Sequence, residues 1–136
     1  MNLALGASEG SCSFVVQDGY SPNAHLQFES QIDAEDKSVI RVHVSTGDAV
    51  CARLGQTLNV IKIDVEGFED DVLAGLEQTL SSPSLHAVLI EVHFQALENR
   101  GRQIAPVGIE MLLKGKGFRL KWVDRNHLHA ERRLPA

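Results

Sequence analysis

Residues 61–69 read Ile-Lys-Ile-Asp-Val-Glu-Gly-Phe-Glu, and this stretch decides the fold. Val60 to Ile63 is a short, largely apolar run of the kind found in buried parallel strands. Asp64 and Glu66 stand at its carboxyl end, Gly67 turns the chain, and an acidic helix start follows. In open α/β sheets, ligands bind outside the carboxyl ends of the strands. The pattern therefore sets Asp64 and Glu66 where such a fold does its chemistry.

Working outward, the spacing predicts one helix over Phe68 to Leu80. Phe68, Val72, Leu76 and Leu80 recur every four residues, and Leu73 widens the stripe. Glu69, Asp70 and Asp71 fall in the first turn, where negative charge suits the helix dipole. Glu69 reads as a dipole-complementing or capping residue, and Asp70 and Asp71 as solvated. Gly75 costs about 1 kcal/mol relative to alanine inside a helix, which suits either a close backbone approach to the sheet or a neutral exposed glycine. Ala87 to Val92 is a second buried strand, ending in Glu91 and His93, which share one side of it. A parallel neighbour brings both near Asp64, and the two strands with their helix form a right-handed βαβ crossover.

Pro106 opens a further helix to about Lys114. Phe118 to Val123 and His127 to Arg132, joined by a turn at Asp124-Arg125-Asn126, form an antiparallel hairpin, with Phe118 and Trp122 as core residues. Lys62 points to a covered face and either snorkels or pairs with a carboxylate such as Glu91. His127 and His129 alternate on one face of the last strand, too isolated for a metal site. Upstream, Asn2 to Leu5, Ser11 to Gln17 and Val39 to Ser45 read as strands, and Asp48 to Leu54 as a short helix with Asp48 near its cap. Asp18 to Asp36, with Gly19, Pro22 and Asn23, reads as a long loop. That loop and the segment Gln95 to Ala105 are the candidates for shaping a substrate pocket.

The chain has 136 residues, enough for one domain, 1–136, with its own core. A net charge of −5 argues against nucleic-acid binding. Cys12 and Cys51 stand far apart without metal-ligand spacing, which suits a reducing cytoplasm. No apolar run is long enough to span a bilayer, so no membrane partner is expected.

At Ile61 to Gly75, Leu89 to His93 and Gly115 to Leu120 the sequence resembles the FkbM-type S-adenosylmethionine-dependent methyltransferases. The family pattern is a strand ending K-I-D-V-E-G, a glutamate two residues on, an apolar helix with a glycine, and a strand ending E-V-H. Those positions here are Lys62 to Gly67, Glu69, Val72, Leu73, Gly75, Glu91, Val92 and His93. The opening from Ala4 to Val16 is similar to the family's third core strand and the hairpin after it. Thr46-Gly47-Asp48 stands where the family usually has Thr-Leu-Asp, which predicts one looser packing contact. The resemblance implies a Rossmann-like class I methyltransferase sheet with a C-terminal antiparallel hairpin. No segment here matches the family's opening D-x-G-A-N-x-G turn or the acidic end of its second strand. The expectation is therefore an N-terminally truncated sheet, lacking about half of the cofactor site.

The activity implied is O-methylation of a small-molecule or sugar hydroxyl with S-adenosylmethionine as cofactor. The alternative is an inactive fragment acting as a binding or assembly module. Asp64, Glu91 and His93 are the candidate catalytic residues, and Asp64 and Glu66 the candidate cofactor contacts. Asp64 and Glu66 also suit caps for the following helix. His93 held by a glutamate suits a general base. The same carboxylates and histidine suit a divalent cation such as magnesium or manganese, or a plain strand-end ion pair. An unpaired edge on the Val60–Ile63 strand predicts homo-oligomerisation.

Overall fold

The computed structural model of the chain describes residues 2–15, 25–27 and 39–133. Its strands form two mixed sheets. In the first, β1 (Ala4–Leu5) pairs parallel with β4 (Val39–Ser45), and β2 (Gly10–Val15) lies antiparallel between β4 and β3 (His25–Gln27). In the second, β5 (Val60–Ile63) pairs parallel with β6 (Ala87–Glu91). Next to β6 comes β8 (His127–Glu131), antiparallel to it, and then β7 (Arg119–Trp122) at the far edge. The helices are α1 (Gly47–Leu54), α2 (Glu69–Ala74), α3 (Glu77–Ser81), α4 (Phe94–Asn99) and α5 (Ala105–Gly115).

Apolar burial explains the second sheet. Leu73, Leu80, Leu85, Val88, Leu97, Leu113 and Leu128 are all fully buried around it. Each such leucine or valine contributes roughly 1.5–3 kcal/mol relative to leaving it in water. Phe118 belongs to this core, and Trp122 packs against it half-buried, its indole N–H donating to Glu110 Oε1 at 2.9 Å. The register then positions the chemistry. Ile63 stands opposite Ile90, so one residue further on Asp64 comes level with Glu91, and Glu91 stands opposite His127. The outer edge of β5 pairs with no other strand among the described residues.

The structure corrects several expectations. The strands divide into two sheets rather than continuing as one. Phe68 to Leu80 is two helices, broken at Gly75-Leu76. The break has a cause. A Cβ on Gly75 would overlap the Gly6 carbonyl oxygen, while the Gly75 carbonyl accepts the Asp48 N–H at 3.0 Å. The Asp48 carboxylate then caps α3, accepting from the N–H groups of Gln78 and Thr79, each at 2.8 Å. Asp48 therefore serves α3, and α1 is capped by Thr46, whose hydroxyl accepts the Ala49 N–H. Gly47 loosens nothing: it is buried, and Leu76 fills the space its side chain would take.

Within the expected segment Gln95 to Ala105, residues up to Asn99 belong to helix α4 and Ala105 opens α5, so only Arg100 to Ile104 connects the two helices. Of the expected loop Asp18 to Asp36, His25–Gln27 is strand and the rest lies outside the described residues. Among the described residues no helix is long and apolar enough to cross a membrane.

Candidate active site at the strand ends

The loops after β5 and β6 bring four carboxylates around one imidazole. Asp64 follows β5, Glu66 and Gly67 form the turn, Glu69 opens α2, Glu91 ends β6, and His93 lies two residues beyond it at the start of α4. Suitable ligand atoms of Asp64, Glu91 and His93 all lie within 4.8 Å of one another. The three residues expected to act together are therefore together. His93 Nε2 lies 3.5 Å from Glu66 Oε2 and 3.8 Å from both Asp64 Oδ1 and Glu91 Oε1. His93 Nδ1 lies 2.8 Å from Glu69 Oε1.

Glu69 departs from its sequence reading. It is fully buried, Oε1 also accepts the Gly67 N–H at 2.9 Å, and Oε2 has no partner among the described residues. A signal for this was present in the sequence. Glu69 lies three, four and seven residues before Val72, Leu73 and Leu76, on the same inward stripe. Helix-dipole reasoning by itself places it in solvent.

The turn carrying Glu66 is tightly built. Glu66 has φ +52° and Gly67 φ +94°, both left-handed. For Glu66 this conformation costs roughly 1–2 kcal/mol. A Cβ on Gly67 would collide with Ala96, so α4 packs directly on the turn. Arg100 holds it there by donating to the Gly67 carbonyl and, at 2.7 Å, to Asp71 Oδ2. Its guanidinium also sits 3.6 Å above the Phe68 ring, a cation–π geometry. Arg102 pairs with Asp70, so Asp70 and Asp71 are salt-bridged rather than merely solvated.

One further expectation changes at the rim. Lys62 is mostly exposed, and its ammonium pairs with Asp64 at 3.0 Å rather than with Glu91. Among the described residues His127 lies outside the group that could hold a metal, but it has carboxylate neighbours. It lies 2.8 Å from Asp124 Oδ2 and 3.5 Å from Glu91 Oε2, which joins the hairpin to the cluster.

Protonation follows from these contacts. Burial pulls the His93 pKa down, but the hydrogen bond to Glu69 and the charges of Glu66, Glu69 and Glu91 outweigh it, leaving the imidazole more basic than usual. Histidine is the side chain that ordinarily changes charge near physiological pH, and carboxylate neighbours make this one the stronger base.

Beside the cluster lies a cleft of about 500 Å³. Leu3, Leu5, Ile61 and Phe68 line it, with Asp64 and Glu66. Glu91 and His93 are not part of its wall. Asp64 and Glu66 thus face two ways, toward the cleft and toward the His93 Nε2 side of the cluster.

An apolar cleft and titratable groups at the carboxyl ends of parallel strands mark the ligand-binding class of α/β proteins. The chain belongs to the FkbM methyltransferase family: the sequence model of the methyltransferase FkbM domain matches residues 1–120. No curated protein and no solved structure matches the chain.

Proposed function

We propose that the protein is an S-adenosylmethionine-dependent O-methyltransferase acting on a hydroxyl of a small molecule or sugar, on a Rossmann-like scaffold. The observation that carries this reading is the position of Asp64 and Glu66, shared between an apolar cleft and the His93 cluster. Parts of the donor meet groups of suitable chemistry here. Leu5, Ile61 and Phe68 suit its adenine, and Asp64 and Glu66 suit its ribose hydroxyls and positive charge.

When bound, S-adenosylmethionine supplies an electrophilic methyl group. The remaining work falls to the chain itself. His93 Nε2 takes the proton of the acceptor hydroxyl, leaving the oxygen lone pair free to attack. Glu91 and Glu66 stabilise the imidazolium that results, since opposite charge within about 4 Å favours the protonated form. Positioning and proton removal are the main catalytic contributions.

The test is calorimetric titration of S-adenosylmethionine and S-adenosylhomocysteine into wild type and Asp64→Ala, with methyl-transfer assays on hydroxylated acceptors. Micromolar binding lost in the variant, and transfer lost in His93→Gln, support the reading. A folded protein that binds neither compound overturns it in favour of a non-enzymatic binding module.

A second reading of the same residues has its own support in the donor set. Asp64, Glu91 and His93 offer two carboxylates and one imidazole, suited to magnesium or manganese. Such a cation would supply charge stabilisation to the acceptor oxygen. Manganese added to labelled protein is expected to broaden the resonances of all three residues selectively. Unselective broadening removes this reading.

A further inference from the structure

We infer that Glu69 is the positioning residue of this site, a buried carboxylate that fixes the ring and the tautomer of His93 so that Nε2 faces the cluster. The inference deepens the reading of His93 as the base and rests on it for its catalytic consequence. Its structural content stands on geometry alone.

Three observations carry it. First, Glu69 is fully buried in the first turn of a helix, a place where a glutamate gains as much by facing water. Carboxylates are almost never fully buried unless paired. Second, Glu69 Oε1 serves two partners at once, accepting the Gly67 N–H at 2.9 Å and lying 2.8 Å from His93 Nδ1. Against an ionised Glu69, which has no proton to give, Nδ1 is the donor. Nε2 is then left as the ring nitrogen that gains or gives up a proton, and it lies 3.5 Å from Glu66 and 3.8 Å from Asp64 and Glu91. Third, Oε2 is buried without a partner among the described residues. An unpaired buried carboxylate oxygen is costly, so stability alone does not account for a glutamate at this position.

The arrangement also ties parts of the site together. Glu69 follows β5 and His93 follows β6, so their contact joins the carboxyl ends of the two parallel strands. Through Gly67 the same oxygen holds the left-handed turn that presents Glu66. Gly67 is fixed from the other side by Ala96 and Arg100. The His93 imidazole thus sits among the turn after β5, the first turn of α2 and the end of β6, with Glu69 as its only side-chain hydrogen-bond partner among the described residues.

The experiment is ring-nitrogen NMR on protein labelled at histidine, comparing wild type with Glu69→Gln at one pH. In wild type His93 is expected in the Nδ1–H form, with a slowly exchanging, low-field ring proton. In Glu69→Gln, whose fold is checked by its amide spectrum, that proton moves upfield, because a neutral acceptor makes the weaker hydrogen bond. A wild-type His93 protonated on Nε2 alone overturns the inference. So does a ring proton unchanged in Glu69→Gln.

If Glu69→Gln does not fold, the wild-type tautomer and exchange rate decide the matter. A kinetic arm separates this inference from the functional reading. Glu69→Gln is expected to lower kcat by about tenfold or more, part of the 10²–10⁴ that a positioned base contributes, with the acceptor KM held. If His93→Gln keeps full activity while the tautomer result stands, the base assignment fails and the positioning role of Glu69 survives.

Discussion

Replacing Gly75 with alanine tests the contact that joins the two sheets. Gly75 closes α2 with its Cα against the Gly6 carbonyl, just beyond β1. An added Cβ would overlap that oxygen and stand 3.2 Å from the Gly6 carbonyl carbon and 3.3 Å from Thr46 Cβ. The obstacle is mostly backbone, so no side-chain rotation relieves it. Either the strand end or the helix must move by about 1 Å, in an interior packed as tightly as a crystal. Overpacking of this kind costs about 1–3 kcal/mol. The movement also weakens the bond from the Asp48 N–H to the Gly75 carbonyl, now 3.0 Å, which is worth about 1 kcal/mol. Against this, loss of glycine's unfolded-state freedom returns about 0.4–1 kcal/mol.

The expected net loss in Gly75→Ala is about 1–3.5 kcal/mol, summed from these terms. For a domain of this size that lowers Tm by roughly 3–14 °C. Gly108→Ala provides the internal control. Gly108 lies mid-way along α5 with nothing within 4 Å of a Cβ, so the same substitution there should raise stability by about 1 kcal/mol. Thermal and urea denaturation of both variants decide the point. A Gly75→Ala protein as stable as wild type, or stabilised like Gly108→Ala, would refute the close approach and with it the explanation of the helix break.

Asp48→Ala removes the acceptor for two α3 N–H groups and the Thr79 hydroxyl, and is expected to cost about 1–2 kcal/mol in urea denaturation. Burial raises the Asp48 pKa, but the hydrogen bonds from Thr79 and Gln78 outweigh it and leave it below 3.8. Its stabilisation is therefore present above pH 3.8 and lost on acidification below that value. At the hairpin, the N–H of Asn126 and contacts with His127 hold Asp124 down to about 2. The Asp124 hydrogen bond, and then the charges of Asp124 and Glu91, raise His127 above 6.5. The Asp124 contribution is present above 3.8 and fades as pH falls toward 2. The His127 contribution is full below 6.5 and fades as pH rises through its folded value. Asp124→Asn should lower the His127 NMR titration midpoint, and an unmoved midpoint would remove Asp124 as the cause. The outer edge of β5, unpaired by any strand among the described residues, should drive self-association. Light scattering across a hundredfold concentration range checks this, and a monomer throughout contradicts it.

Much of the site was readable along the chain. The strand at Val60–Ile63 and the strand at Ala87–Glu91 followed from short apolar runs bounded by turn residues, and both formed. Their parallel register then made Asp64, Glu91 and His93 neighbours, as alternation along a strand implies. The hairpin followed from its alternation and from the Asp124 turn. The helix break at Gly75 was not readable, because the apolar period runs straight through it. Only the approach of Gly6 and the cap from Asp48, 27 residues before Gly75 in the chain, decide it. Helix α4 was hidden for a related reason. It spans only Phe94–Asn99, too short to show a period, and its place is set by contact with the Gly67 turn.

The sequence by itself determined which residues lie at strand ends, because burial and alternation are local properties of the chain. It also carried the family pattern that the match over residues 1–120 confirms. Tertiary structure alone decided what those residues meet. Glu69 reads as a dipole-complementing or capping acid at a helix start and is a buried partner of His93. Lys62 looked covered and is exposed beside Asp64. The physical reason is the same in each case. The environment of a charged group is set by what other segments bring to it, and the pairing energy that makes a buried carboxylate tolerable comes from a residue 24 positions away.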